Sequence, residues 1–505
     1  MRITSMLQSL GRTWFVGTVS LVCILMGDTA PTSGADWPMR GRGRNRNAVV
    51  PDGVGPTTWQ LPSQGDPGKN IRWSVDVGHY SQGDPVISGG LVWIGTNNGR
   101  PRDPNRKEDA GVLMCFDERD GKFLYQYVSP RLKNGQNDWN RYLDWPTSSQ
   151  TGSPLIENDR LWFCNNRREV ICLDIAPLLT RTGEPKVVWK VDMIGQFGIV
   201  PRAHMMSINA THCSIAGYQD LIYVNTSNAG GFKKAPDAPS LICFEKHTGK
   251  VKWQDKSPGN NLLDVQGGSP LIIEIQGRGQ VIMGQGDGWV RGFDALSGEV
   301  MWKFDINFKS TARGPLLARD RRNDLVTMPV FYDGRVYFAA GKNIELGDGP
   351  GRMCCLDPTK RGDISSELDA GQGRPVPNPN SGMVWQYVRF GAGKEDIMHS
   401  TISSVAIHEG LVLASDTFSY VHCVDAATGA PIWTHDTIDA IWSSPLIVGN
   451  RVYQATESNF VIFELSRQKK VISDVELEGW SHCAPAFANG VLFLLIPDKL
   501  LAIGE

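Results

Sequence analysis

Asp425-Ala426-Ala427-Thr428-Gly429-Ala430-Pro431-Ile432-Trp433 and its near-copy Asp294-Ala295-Leu296-Ser297-Gly298-Glu299-Val300-Met301-Trp302 decide how this chain folds. In each, an acid stands four places before a glycine and a tryptophan four places after it. An Asp side chain can bond the backbone two residues on, and Gly accepts the left-handed conformation that such a turn needs, so the pattern reads as a tight turn between two strands. The spacing recurs from Asp117 to Gly121 with Tyr125, and from Glu245 to Gly249 with Trp253, while Trp189 and Trp385 close the same strand after longer turns.

Before the turn lies a strand ending in Cys-x-Asp: Leu113-Met114-Cys115-Phe116-Asp117, Val170-Ile171-Cys172-Leu173-Asp174 and Val421-His422-Cys423-Val424-Asp425. Its period-two alternation marks a half-buried strand. Further upstream a short apolar strand follows a small-residue lead-in to proline: Gly83-Asp84-Pro85, Gly152-Ser153-Pro154, Gly268-Ser269-Pro270, Ser443-Ser444-Pro445 and Cys483-Ala484-Pro485. Met328-Pro329, Ile215 and Ser404 take that place in weaker copies. Eight positions on, Trp93, Trp162, Tyr223, Tyr337, Val412, Tyr453 and Phe493 mark a second strand, reached through turns such as Val448-Gly449-Asn450-Arg451.

Each unit is therefore a four-stranded antiparallel meander, and one such sheet cannot bury both faces unless copies stack. Units fall at 82–127, 150–192, 212–255, 266–305, 327–388, 399–436 and 441–477, with an incomplete one at 480–504. The missing strand is supplied by Ile71-Arg72-Trp73-Ser74-Val75, which closes a ring and leaves no long unpaired edge. The expectation is an all-β, eight-bladed β-propeller over residues 71–505, its last blade completed by an N-terminal strand. Insertions at 97–111, 130–149, 175–186, 195–211, 306–326, 343–352, 358–382 and 389–398 read as surface loops from their Gly, Pro and Asn content.

With these residues in place, the repeat resembles the PQQ-like (pyrroloquinoline quinone-like) propeller repeat, over nearly the whole chain after its first 35 residues. The resemblance implies that the Trp of one blade packs between neighbours, with Ala and Gly giving it room. It also implies two kinds of relative. One comprises quinoprotein alcohol and sugar dehydrogenases, which hold pyrroloquinoline quinone and calcium over the channel. The other resembles the outer-membrane assembly propeller and many exported bacterial proteins, which bind other proteins without a cofactor. Ala35-Asp36-Trp37-Pro38, followed by Arg40-Gly41 and Asn45, is similar to a leader of that second kind.

Residues 1–35 read as a signal peptide: Arg2 and Arg12, an apolar run from Trp14 to Met26, and the small residues Ser33-Gly34-Ala35. The run is shorter than the roughly 20 residues that span a bilayer as a helix. The mature chain is thus expected in the periplasm or outside the cell, not membrane-spanning, with residues 36–70 an extended leader. A formal charge of −2 implies no nucleic-acid partner. Of ten cysteines, Cys115, Cys172, Cys243, Cys355 and Cys423 recur at one repeat position and read as buried core.

The chemistry is sparse. Cys354-Cys355 invites comparison with the adjacent-cysteine disulfide of methanol-oxidising quinoproteins, yet Cys355 holds the repeated third-strand position, which reads as core. Oxygen ligands for calcium are scattered over loops as Asp138, Asp144, Asp324, Glu395, Asp396 and Asp439. Cys-x-x-Cys-His is absent, no Ser-His-Asp or zinc spacing appears, and Gly284-Gln285-Gly286-Asp287-Gly288 precedes a strand, so it reads as a turn. No catalytic, cofactor or metal residue is expected.

Three positions before the lead-in proline or its counterpart, at one channel mouth, stand Gln82, Thr151, His212, Gly267, Val326, Thr401, Trp442 and His482. Arg202 and His204, in the loop before the third blade, face the same side, and Arg202 suits a carboxylate. These are the candidate binding residues. The favoured expectation is a non-catalytic exported module that presents one rim to an envelope protein or a cell-surface polymer. The alternative is a dehydrogenase dependent on pyrroloquinoline quinone and calcium, and a third reading is carbohydrate binding through Trp139, Trp145 and Trp442.

Overall fold

The alternating strands build eight blade sheets in the order in which the repeats occur. The structure, a computed structural model, describes residues 36–61, 68–132, 148–201, 213–228, 235–263, 266–311, 322–342, 351–371, 373–388, 393 and 396–504. From the innermost strand outward, blade 1 is Val86–Ser88, Leu91–Asn97, Ala110–Asp117 and Phe123–Pro130, and blade 2 is Leu155–Glu157, Arg160–Cys164, Glu169–Asp174 and Lys186–Asp192. Blades 3 to 7 follow the same antiparallel path, starting at Ala216–Tyr218, Leu271–Ile275, Val330–Tyr332, Ala406–His408 and Leu446–Val448. Blade 8 runs Ala486–Ala488, Val491–Ile496 and Lys499–Ile503, and its outermost strand is Ile71–Asp76, with Ile71 opposite Ile503. The ring is closed by the N-terminal strand as the sequence implies.

The core follows from a small residue placed opposite a large one. Cys115, Cys172, Cys243, Cys355 and Cys423 pair across the sheet with Tyr125, Trp189, Trp253, Trp385 and Trp433. All five cysteines are buried, and burial raises their thiol pKa values, so they pack as small hydrophobes. Where a blade lacks cysteine, Gly292 lies against Trp302 and Ala502 against Trp73.

In blades 2, 3 and 5 the outer tryptophan also fastens its blade to the next. Trp385 Nε1 donates to the Ala426 carbonyl at 2.9 Å, and Tyr337 Oη donates to the same carbonyl at 3.1 Å. Trp253 and Tyr223 share the Ala295 carbonyl in the same way, and Trp189 and Trp162 share that of Lys246. Gly429 sits at φ 71°, and a Cβ there would come within 2.6 Å of the Trp385 ring. The acid-to-glycine turn is thus required twice, for its left-handed backbone and for the ring that covers it.

Two sequence expectations need correction. In blade 6 Ala406 pairs with Leu413, as Leu446 pairs with Tyr453, so the residue equivalent to the lead-in proline is Val405 and not Ser404. Leu413 then takes the second-strand place assigned to Val412. Several insertions also carry structure of their own. Ala176–Leu179 and Met193–Phe197 are short helices, Glu367–Asp369 pairs with Pro375–Pro377, and Gly362–Asp363 adds a parallel strand to blade 4.

The leader is part of the hub. Trp37 exchanges backbone hydrogen bonds with Ile87 of blade 1 at 2.7 and 2.9 Å, and the Pro38 carbonyl accepts from Ile156 of blade 2. Arg46, 1% exposed, donates to the carbonyls of Arg40, Ser214, Ile215 and Pro270, which reaches blades 3 and 4. The Asn45 carbonyl takes the amide of Phe331 in blade 5, the Asn47 side chain bonds both backbone groups of Ile407 in blade 6, and Val49–Val50 runs parallel to Ile447 and Val448 in blade 7. Innermost strands carry a free inward edge, and this segment satisfies it blade after blade. A void of about 10 Å³ remains beside Trp37 and Arg46, the room of roughly one water.

Candidate functional site

The channel has two chemically different ends. Asp36 bonds Ser88 and Gly89, and the Val50 carbonyl bonds Gly449, so the two ends of the leader reach the turns between first and second strands, while Arg40 and Arg46 reach inward to Asp84 and the Pro270 carbonyl at the base of the lead-ins. The opposite end carries the proline lead-ins. There the Tyr80 carbonyl accepts from Asn97, that of Ala440 from Glu457 and that of Ser400 from Thr417, which ties each lead-in to the turn between second and third strands. This rim is the candidate mouth.

At the mouth of blades 7, 8 and 1, aromatic rings gather. His482 lies with its ring 4.2 Å from Trp480 and 5.0 Å from Trp442 by centroid, tilted 35° and 38°. Tyr80 stands edge-on to both Trp480 and His482, and Gln82 donates its side-chain amide to Tyr80 Oη at 2.5 Å. Trp442 Nε1 donates to the exposed Glu457 carboxylate at 2.8 Å. His482 Nδ1 is buried without a hydrogen-bond partner, and burial lowers the pKa of this imidazole to about 4. The ring is therefore neutral near pH 7, an apolar layer in a stack rather than a cation.

Of the residues read from sequence, Gln82, Trp442 and His482 come together in this cluster. Thr401 does not join it: its hydroxyl donates to the Ser415 carbonyl within blade 6, and Ile402 occupies the row of Gln82, Trp442 and His482. Thr151 is buried under the mouth beside Gly83. Arg202, His204 and His212 lie outside the described residues, as do Trp139, Trp145, Asp138, Asp144 and Glu395. Tyr80 and Trp480 escaped the sequence reading although they stand two positions before Gln82 and His482; a search of alternate lead-in positions finds them.

Blade 6 adds a second stack, with His399 4.6 Å from the exposed Phe418 and 5.8 Å from Tyr420. Beneath it the buried His422 bonds Asp416 Oδ2 at 2.9 Å and Tyr387 Oη at 3.0 Å. Asp416 also accepts the amides of His399, Phe418 and Tyr420, so the network shapes the turn that carries the stack.

A quinone and calcium site is not favoured by these residues. Cys354 and Cys355 follow one another along a strand, so their side chains point to opposite faces, Cys354 in the apolar cluster shared with blade 4 and Cys355 in that shared with blade 6. Asp324, Asp396 and Asp439 stand on three separate lead-ins, and Asp396 and Asp439 are engaged with Gly393 and Ser458. Among the described residues no three His, Cys, Asp or Glu side chains converge as a metal site would need. Likewise, among the described residues no helix is long and apolar enough to cross a membrane.

Comparison with known proteins gives one family. Residues 184–378 and 362–471 match the family described as outer membrane protein assembly factor BamB. Among solved structures, BamB from Moraxella catarrhalis is 15% identical with a TM-score of 0.52, covering 86% of this chain and 98% of its own. Sqt1 from Saccharomyces cerevisiae is 9% identical at the same TM-score and the same coverage. A europium-containing methanol dehydrogenase is 13% identical with a TM-score of 0.46, covering 93% of this chain and 89% of its own. No curated protein matches the sequence.

Proposed function

This chain belongs to the family described as outer membrane protein assembly factor BamB, and on that premise we propose that it is an exported, non-catalytic binding module that grips an envelope protein at its lead-in mouth. The observation that carries the reading is the Trp442–His482–Trp480 stack. Tryptophan and tyrosine supply large contact area for little lost entropy, and they dominate protein-binding surfaces. Two side-chain donors of the cluster hold its rings in place, Gln82 through Tyr80 and Trp442 through Glu457. No cofactor is needed for such a role.

The test is capture from an envelope extract by the immobilised protein, beside a Trp442→Ala/Trp480→Ala variant of the same fold by circular dichroism. The wild type is expected to enrich a defined protein that the variant loses at least tenfold. Equal capture by both forms overturns the mouth as the binding surface. A parallel titration with pyrroloquinoline quinone and calcium is expected to leave absorbance additive. A saturable, calcium-dependent complex that reduces dye with alcohols or sugars overturns the non-catalytic reading.

A further inference from the structure

In the wall between blades 4 and 5 lies a largely buried guanidinium for which the described residues offer no hydrogen-bonded counter-charge. Arg352 opens the third strand of blade 5, opposite Ala340 in the second. Alternation sends Arg352, Cys354 and Leu356 to the blade 4 side, where Cys354 and Leu356 join Phe304, Phe338 and Ala340 in one apolar cluster. Arg352 is 6% exposed, and its Nε is sealed without a hydrogen-bond partner. Its guanidinium carbon sits 4.4 Å from the centre of the Phe308 ring, whose face takes up part of the charge.

The neighbouring acids are already engaged. Lys309 Nζ lies 2.6 Å from Asp305, and the Lys309 amide bonds Glu367 at 3.2 Å. Asp287 receives Arg291 through both oxygens. Burial pulls the Arg352 guanidinium below its ordinary pKa, which Cys354, Asp305 and Glu367 offset only in part. A buried cation without a hydrogen-bonded counter-charge is costly, so it marks a place where a ligand gains.

We propose that Arg352 is the receptor for a single carboxylate, held by the guanidinium fork above Phe308. The planar fork matches a carboxylate through two parallel bonds. A doubly charged phosphate is disfavoured there, because Asp305 and Glu367 already act on the same guanidinium. The biological occupant rests on the binding-module reading: an acidic side chain of the partner protein. The carboxylate chemistry does not depend on it.

The experiment melts the full chain in sodium acetate, sodium phosphate or sodium chloride at matched ionic strength and pH 7, beside Arg352→Met. Acetate at 100 mM scale is expected to raise Tm by about 2 °C over chloride in the wild type and by nothing in the variant. Arg352→Met itself is expected to melt no lower than the wild type, because methionine keeps the Phe308 contact and removes the unpaired charge. Equal shifts in acetate and chloride, a larger shift in phosphate, or an acetate response that survives in Arg352→Met overturns the site. If the acetate response holds but Arg352→Met captures the envelope partner as well as the wild type, the carboxylate site stands and its link to the partner falls.

Discussion

At the floor of the channel Arg46 donates four hydrogen bonds to backbone carbonyls, whereas at the mouth His482 keeps a buried Nδ1 with no partner between two tryptophan rings. Both are large, cationic-type side chains at the centre of the same ring. The first is charged and fully satisfied by the chain itself, with burial lowering its pKa to about 9. The second is neutral, and ring contacts take the place of hydrogen bonds. The floor therefore holds the blades together through hydrogen bonds, while the mouth packs ring against ring.

Arg46→Met gives the largest expected effect on that contrast. It leaves the carbonyls of Arg40, Ser214, Ile215 and Pro270 without their donor in the hub. Orphaned buried groups cost about 1–3 kcal/mol each before relaxation, and a water in the adjoining void recovers part, so a net loss of about 3–5 kcal/mol is expected. Urea unfolding measures it. A midpoint unchanged from the wild type would mean that the leader merely fills space.

His482 comes next, through pH. Its folded pKa of about 4 lies below the 6.5 of an ordinary histidine, so the unfolded chain takes up the proton first. The stability tied to this group is complete above pH 6.5 and is lost as pH falls from there to 4, about 3 kcal/mol at most. His482→Gln should flatten that part of the pH profile. The quantity to compare is the wild-type unfolding free energy minus that of the variant at pH 7.5 and 4.5, since other groups titrate alike in both. An identical slope in the two proteins would show that the imidazole is solvated.

The propeller was legible in the sequence because its determinants are local and repeated. An acid, a glycine four residues on and a tryptophan four beyond encode a turn, its backbone sign and the ring that covers it, all within nine residues. Blade 6 reads one residue out of step, since Val405 replaces the proline whose fixed φ marks the strand start in six other blades, although the match of Ser403-Ser404 to Ser443-Ser444 carries the correct register. The leader hid its role for a different reason. Its bonds to seven blades run through backbone groups, Arg46 and Asn47, with no periodicity to betray them. The mouth was half legible: Trp442 and His482 fell in one row, but Arg352 carries no pattern at all, because a missing partner is visible only in three dimensions.

The smallest expected effect is at Trp442, and it bears on the contrast most directly. Trp442→Phe keeps an aromatic ring next to His482 and removes the Nε1 bond to Glu457, whose carboxylate is exposed. A hydrogen bond to a solvated acceptor is largely replaced by water, so the loss should stay within about 0.5 kcal/mol, or roughly 1 °C in Tm. Capture of the partner, by contrast, should weaken, because the smaller ring gives up contact area at the centre of the stack. A variant that binds normally but unfolds as readily as Arg46→Met would reverse the assignment, making the mouth a structural clamp and sending the search for a binding surface to another rim of the ring.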